Sequence, residues 1–299
     1  MLMAHFSLFS SSLSTFVIII ILIFTIANYY QLVSTLKDLD KRLVETDVFG
    51  ANRAPQLYPL FEQFPIRELR RNALLMAESV RAEVLKHAVG KDNRNFYTKL
   101  KPEAFCEKTE RIGEKGDGGK VVCNPSVVRD DCTLMSLGLN NQVGFDQAIY
   151  KITGEKCKLI GADKDPQNMN TARAYSAMGG RLFSGKIPDE ITIPEMLVQA
   201  HRKQIEVLKI DIEGDERTGL EPLLKDTYVC QILIEIHGWP PEHLEMLQKI
   251  ARYGFRLYNI EENYLCSRCC EYSFINELCM LQFGVVPLAI TIPHNITNG

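Results

Sequence analysis

Between Phe6 and Leu36 the chain has no Asp, Glu, Lys or Arg, and no Lys or Arg precedes that stretch. Its centre, Phe16–Ala27 ("FVIIIILIFTIA"), is almost wholly aliphatic. With Leu13, Tyr29, Tyr30, Leu32 and Val33 it reaches the roughly 20 residues that a spanning helix needs. The two tyrosines fall where interfacial rings are favoured. A small-x-small cleavage pattern is missing too, because "ANYYQLVST" is bulky, and this argues against a removed signal peptide. Residues 1–36 therefore read as an uncleaved N-terminal signal anchor, a single-pass transmembrane segment. Cysteine is absent from the first 100 residues, and all nine cysteines follow. That density suits an oxidising lumen, as does the sequon Asn295-Ile-Thr297. Lys37, Lys41 and Arg42 after the span favour the opposite orientation. The balance favours a catalytic part in the endoplasmic reticulum or Golgi lumen, or outside the cell. No long basic run occurs, and the net charge is only -3, so nucleic acid is not a partner.

What is present suits one ordinary globular domain with extras: 299 residues, 46% hydrophobic and 24% charged. Residues 37–100 read as a stalk. Within it, Ile66–Gly90 places Leu69, Ala73, Leu74, Ala77, Val80 and Val84 at helical spacing. Arg111–Pro125 ("RIGEKGDGGKVVCNP") is glycine-rich and reads as a loop. It lacks Gly-Lys-Ser/Thr and a following helical run, so it is no phosphate-binding loop. From residue 131 short apolar runs alternate with amphipathic segments. Strands are expected over Cys132–Leu137, Lys158–Ala162, Arg181–Phe183, Val207–Ile212 and Val229–Ile236. Helices are expected over Phe145–Ile152, Gln167–Met178, Ile193–Lys203, Glu216–Leu224 and Pro241–Tyr253. This alternation predicts a doubly wound, mostly parallel sheet whose strands all point their carboxyl ends to one ligand-binding edge. Two further β-rich runs, "GFRLYNIEENYL" and "EYSFINELCMLQFG", have no helix between them and must pair antiparallel.

Chemistry-bearing residues gather at that edge. The first strand runs into "SLGLNNQVGFD", where Gly138, Asn140, Asn141 and Gly144 can take unusual backbone angles and let a ligand approach closely. Asn140 and Val143 stand where a G-x-G-x-x-G would have glycine. About 25 residues after Gly138, Asp163 ends the second strand, where an acid accepts from a ribose diol. Asp165, before Pro166, reads as a helix cap. The fourth strand ends in Asp211 and Glu213, placed on one face by strand alternation. Two close carboxylates need a cation, a shared proton or a ligand. Glu235 and His237 end the fifth strand, and His237 can act as a base. The chain's only tryptophan, Trp239, follows. Cys266, Cys269, Cys270 and Cys279 have irregular spacing for zinc. Local disulfides fit better, and nine cysteines leave at least one unpaired or bridging chains.

"VLKIDIEGDE" and "ILIEIHGWP" resemble consecutive strands of the FkbM-like methyltransferases. "GEKGDGGKVVCNP" and "SLGLNNQVGFDQAIYKITGEKCKLIGADKDP" resemble their membrane-anchored methyltransferase-like relatives. The resemblance covers roughly residues 100–285. It implies the Rossmann-like class I methyltransferase fold over a domain at 101–285, with a tail at 286–299. It also implies S-adenosylmethionine as cofactor and methyl transfer to an oxygen of an unidentified small molecule, glycan or protein. In that fold Gly138 and Asn140 take the cofactor's methionine end and Asp163 its ribose. Asp211 and Glu213 then face the methyl group and acceptor, and Asp211, Glu213 or His237 serves as base; no metal is assigned. Two rivals remain: a methyltransferase-like module that only binds partners, and a lumenal glycosyltransferase whose Asp163-Lys164-Asp165 imitates a metal-binding D-x-D.

Overall fold

The computed structural model describes residues 64–113 and 118–293 and, in the N-terminal compact unit Met1–Pro55, the helical residues Ile26, Asn28, Tyr30, Gln31 and Ser34. Most of the expected anchor, and the sequon, lie outside the described residues. Among those described, no helix is long and apolar enough to cross a membrane. The 24-residue α1 (Phe64–His87) is long enough, but Arg67, Glu68, Arg70 and Arg71 already interrupt its first turns. The single-pass membrane placement, and the lumenal or extracellular address built on it, is therefore corrected: the structure does not support it.

The second compact unit, Gln56–Gly299, is built on a seven-stranded sheet. Its strands are β4 (Thr133–Leu137), β5 (Lys158–Asp163), β6 (Arg181–Ser184), β7 (Gln204–Ile210), β8 (Tyr228–His237), β9 (Phe255–Glu262) and β10 (Cys269–Asn276), in the order β6-β5-β4-β7-β8-β10-β9. The first five are parallel; β10 runs antiparallel between β8 and β9. This is the Rossmann-like class I methyltransferase arrangement. The order reverses at β4, which lies between β5 and β7, so the crevice at their carboxyl ends is the natural ligand site. Connecting helices are α3 (Gly144–Ile152), α4 (Met169–Ala177), α5 (Ile193–Gln199), α6 (Glu216–Asp226) and α7 (Pro240–Arg252). Central strands are covered on both faces, so β4 is buried throughout and β7 at all but its first residue.

Smaller elements complete the unit: α2 (Asn93–Lys99), the pair β1 (Ala104–Cys106) with β11 (Val285–Pro287), the hairpin β2 (Thr109–Ile112) with β3 (Lys120–Cys123), and α8 (Met280–Phe283). Val84 and Ala88 join Phe96, Tyr97 and Leu100 in the sheet's apolar core. Arg70 and Arg81 donate to the carbonyls of Pro287 and Ile290.

The structure differs most from the sequence pattern at three places. The glycine-rich stretch forms the β2–β3 hairpin; its strands are only four residues each, too short for periodicity to reveal. Helix α5 stops at Gln199, before the polar His201–Lys203. Strand β7 stops at Ile210, so Asp211 and Glu213 lie beyond it, and Glu213 has a φ of 58°. Four disulfides form: Cys106–Cys123, Cys132–Cys157, Cys230–Cys279 and Cys266–Cys269. Cys270 is buried and free. Cys266, Cys269 and Cys279 are thus committed to sulfur, which disposes of zinc at that cluster.

Candidate active site

The turn after β4 is shaped by one close approach. A Cβ on Gly138 would lie 1.7 Å from the carbonyl oxygen of Asp211, and Gly138 has a φ of +80°. Only glycine fits both demands. Its N–H donates to the Ala162 carbonyl (2.9 Å), and the Asp211 N–H donates to that of Leu137 (3.0 Å). The ends of β4, β5 and β7 are thereby laced together.

Asp163 is 9% exposed. Its carboxylate accepts the N–H of Asn140 (2.7 Å) and of Asp165 (3.1 Å). The Asn141 N–H donates to the Gln167 side chain (2.8 Å), while Asn141 Oδ1 accepts from the Asn168 N–H (2.7 Å). The Gln142 N–H donates to the Leu139 carbonyl (2.7 Å). The turn's N–H groups at 138, 140, 141 and 142 are therefore spent inside the protein. They hold the turn's left-handed asparagines in place. Two of the roughly four acceptor positions on the Asp163 carboxylate remain.

Next to this turn, the ends of β7 and β8 meet. His237 Nε2 lies 4.0 Å from Asp211 Oδ1 and 3.6 Å from Glu213 Oε2, and His237 Nδ1 lies 3.7 Å from Glu216 Oε1. Glu216 is buried at the start of α6, where its Oε1 also accepts the Ile212 N–H (2.9 Å). Glu213, by contrast, is 78% exposed. Burial disfavours the His237 imidazolium, but Glu216 and Asp211 outweigh it and push the pKa up to about 9.

The Asp211 carboxylate is shared. Its Oδ2 lies 3.6 Å from the ammonium of Lys120, which is also 3.8 Å from Glu235 and 2.6 Å from Glu271. Lys120, at the start of β3, is 1% exposed. Desolvation, then the charges of Asp211 and Glu271, raise the Glu235 pKa to about 9 against the pull of Lys120. Glu235 is thus held as the neutral acid, and it accepts the Asn263 amide (2.9 Å). The crowding that the sequence showed at Asp211 is balanced by a lysine from outside the sheet.

Among the described residues three donor sets converge, but one of them, Glu235, His237 and Cys269, has its sulfur in the Cys266–Cys269 bridge, which leaves two that could hold a cation. Asp211, Glu213 and His237 bring ligand atoms within 4.8 Å of one another, and so do Asp211, Glu235 and Glu271. The second set already encloses the Lys120 ammonium. The sequence reading missed Lys120, Glu216 and Glu271. An acid inside the apolar run "CCEYSFIN" signals a buried group in need of a partner, so Glu271 was detectable. Lys120 was not, because its glycine-rich surroundings carry no pattern.

Similar backbones occur in fibrillarin of Aeropyrum pernix, crystallised with natively bound S-adenosyl-L-methionine; it shares 10% identity and a TM-score of 0.39 over 49% of this chain and 67% of that one. The fibrillarin pre-rRNA processing protein of Methanococcus jannaschii shares 13% identity and a TM-score of 0.38 over 57% and 84%. A SAM-dependent methyltransferase of Aquifex aeolicus shares 15% identity and a TM-score of 0.34 over 51% and 90%. No curated protein sequence matches the chain. The family model described as "Methyltransferase FkbM domain" matches residues 87–257, more than half of the chain, and the protein belongs to the FkbM methyltransferase family.

Proposed function

We propose that the carboxyl edge of β4, β5 and β7 binds S-adenosylmethionine and that the adjoining edge of β8 presents an oxygen acceptor for methylation. S-Adenosylmethionine, the methyl donor of this family, supplies an electrophilic methyl group on a sulfonium when bound. The residues suit such a molecule. Asp163 keeps acceptor positions for a ribose diol. Helix α3 begins at an N-cap, Val143, with no capping side chain, and a Cβ on Gly144 would meet nothing within 4 Å. That open, partly positive end suits a carboxylate. Asp211 and Glu213 favour a cationic centre.

Position and exclusion of water carry most of the acceleration in such a transfer. The proton of an acceptor hydroxyl goes to His237 in its neutral form, held between Glu216 on one side and Asp211 and Glu213 on the other. The observation carrying this reading is that convergence of His237, Asp211, Glu213 and Glu216 beside the Gly138 turn. Isothermal titration of the full chain with S-adenosylmethionine tests it. Binding heat and a raised melting temperature are expected; a folded protein showing neither refutes the reading. Mass spectrometry of material methylated by the purified chain identifies the acceptor class, and a methyl on nitrogen or carbon overturns the oxygen assignment.

One observation favours a second reading, a module that binds partners without catalysis: the turn's N–H groups are already bonded within the protein. Asp211→Asn separates the two. An enzyme loses turnover, whereas a binding module keeps its partner.

A further inference from the structure

The β2–β3 hairpin stands outside the seven-stranded sheet, yet it inserts one ammonium among residues of three different strand ends. Lys120 Nζ reaches Glu271 on β10, Glu235 on β8 and Asp211 just past β7, at 2.6, 3.8 and 3.6 Å. The hairpin is fixed to the body. Its Cys123 N–H donates to Gln231 (3.0 Å) and Tyr258 (3.1 Å), Ser273 donates to the Val121 carbonyl (2.8 Å), and Cys106–Cys123 ties it to β1. It also abuts the donor turn: a Cβ on Gly118 would sit 2.6 Å from Gln142 Oε1.

Packing alone does not call for a lysine here. An apolar side chain of similar length would fill the space without desolvating a charge, and such replacements of buried ion pairs are often neutral or stabilising. Charge placement is a different matter. Three acids this close need either a cation or extra protons. With the ammonium on Asp211 Oδ2, the other oxygen, Oδ1, is left facing His237 at 4.0 Å.

We propose that Lys120 is a positioning residue of the methyl-transfer site: it gathers Asp211, Glu235 and Glu271 and sets the Asp211 carboxylate so that its Oδ1 receives the cationic donor and steadies His237. This inference rests on the donor-site reading above. It makes the hairpin a working part of the site, although the glycine-rich stretch that forms it carries no phosphate-binding pattern.

The test uses the full chain and three substitutions: Lys120→Met, the double variant Lys120→Met/Glu271→Met, and Lys120→Arg. Three quantities are read: melting temperature, S-adenosylmethionine affinity by calorimetry, and the His237 titration midpoint by NMR of its imidazole nitrogens. Asp211, Glu213, Glu216 and Glu235 face that imidazole, and His243 lies near enough to feel its charge. Lys120→Met lowers the melting temperature and weakens donor binding at least about tenfold. The double variant, with the ion pair made apolar, regains the melting temperature but not the affinity, and its His237 midpoint moves by about half a unit or more. Lys120→Arg keeps the charge and retains affinity to within about threefold. Donor affinity in the double variant within about threefold of wild type, or an unmoved His237 midpoint, overturns the proposal and leaves Lys120 a structural residue. If Lys120→Met does not fold, the double variant alone decides. If the wild-type chain binds no donor, the functional reading fails first, and the His237 midpoint still decides whether Lys120 acts through Asp211.

Discussion

At neutral pH His237 carries a proton, because its pKa is pushed up to about 9. A protonated imidazole cannot accept the proton of a hydroxyl acceptor. Methyl transfer is therefore expected to rise with pH, to reach half its plateau near pH 9 and to level off above it, measured as kcat/KM under saturating donor; a rate flat from pH 6 to 9 excludes His237 as the base. Stability runs the other way. His237 has a folded pKa above its ordinary 6.5, so its contribution is complete below that value and lost as pH rises toward about 9. Glu235, also raised to about 9, stays protonated when folded but ionises when unfolded above 4.5, which adds to the loss. His243 acts oppositely: burial lowers its pKa to about 4, and its contribution, present above 6.5, fades as pH falls. The melting temperature should thus decline on both sides of mildly acidic pH, and Glu235→Gln should flatten the alkaline limb. At Gly138 a different limit applies. Gly138→Ala places a methyl group against the Asp211 carbonyl. The left-handed φ alone costs about 1–2 kcal/mol, and the clash adds to it, so a sharp fall in both melting temperature and donor affinity is expected.

At the scale of elements, β7 shows why strand ends are hard to read. "EVLKIDIEGDE" alternates as a strand through Ile212, but the ladder stops at Ile210, since the chain must turn away where β4 crosses to α3. Asp211 and Glu213 still come together, through a left-handed Glu213 rather than through strand alternation. The hairpin gives the converse lesson. Glycines at 113, 116, 118 and 119 mask two short strands, and only pairing in space makes them visible. Its anchorage is testable. Removing the Cys106–Cys123 bridge as a double alanine variant should cost about 2–4 kcal/mol. Because Lys120 lies three residues from Cys123, donor affinity should fall with it. Unchanged affinity in a folded variant would show that β3 holds its place without the bridge.

At the scale of the whole molecule, four disulfides distribute over the fold: at β1–β3, at the starts of β4 and β5, between β8 and the segment leading into α8, and within the β9–β10 turn. Such bridges restrict the unfolded chain most. The full chain should melt several degrees lower after reduction under mild denaturant, read by circular dichroism, with donor binding weakened in parallel. An unchanged melt would mean that the apolar core alone supports the fold. The alternation of apolar runs and helices was enough to derive this mostly parallel sheet and its antiparallel end, because a sheet covered on both faces must be written as continuous apolar strands. The membrane placement had no such support in the described structure, where the one long helix is amphipathic rather than uniformly apolar.

The amino-acid order alone determined the wound sheet and the acids at the ends of β5 and β8 and just past β7, because periodicity and the cost of burying charge act locally along the chain. It could not determine what balances those acids. Lys120 lies 91 residues before Asp211 and 151 before Glu271. An ion pair across such a separation exists only once the hairpin has docked, and tertiary structure alone decides which distant charges meet.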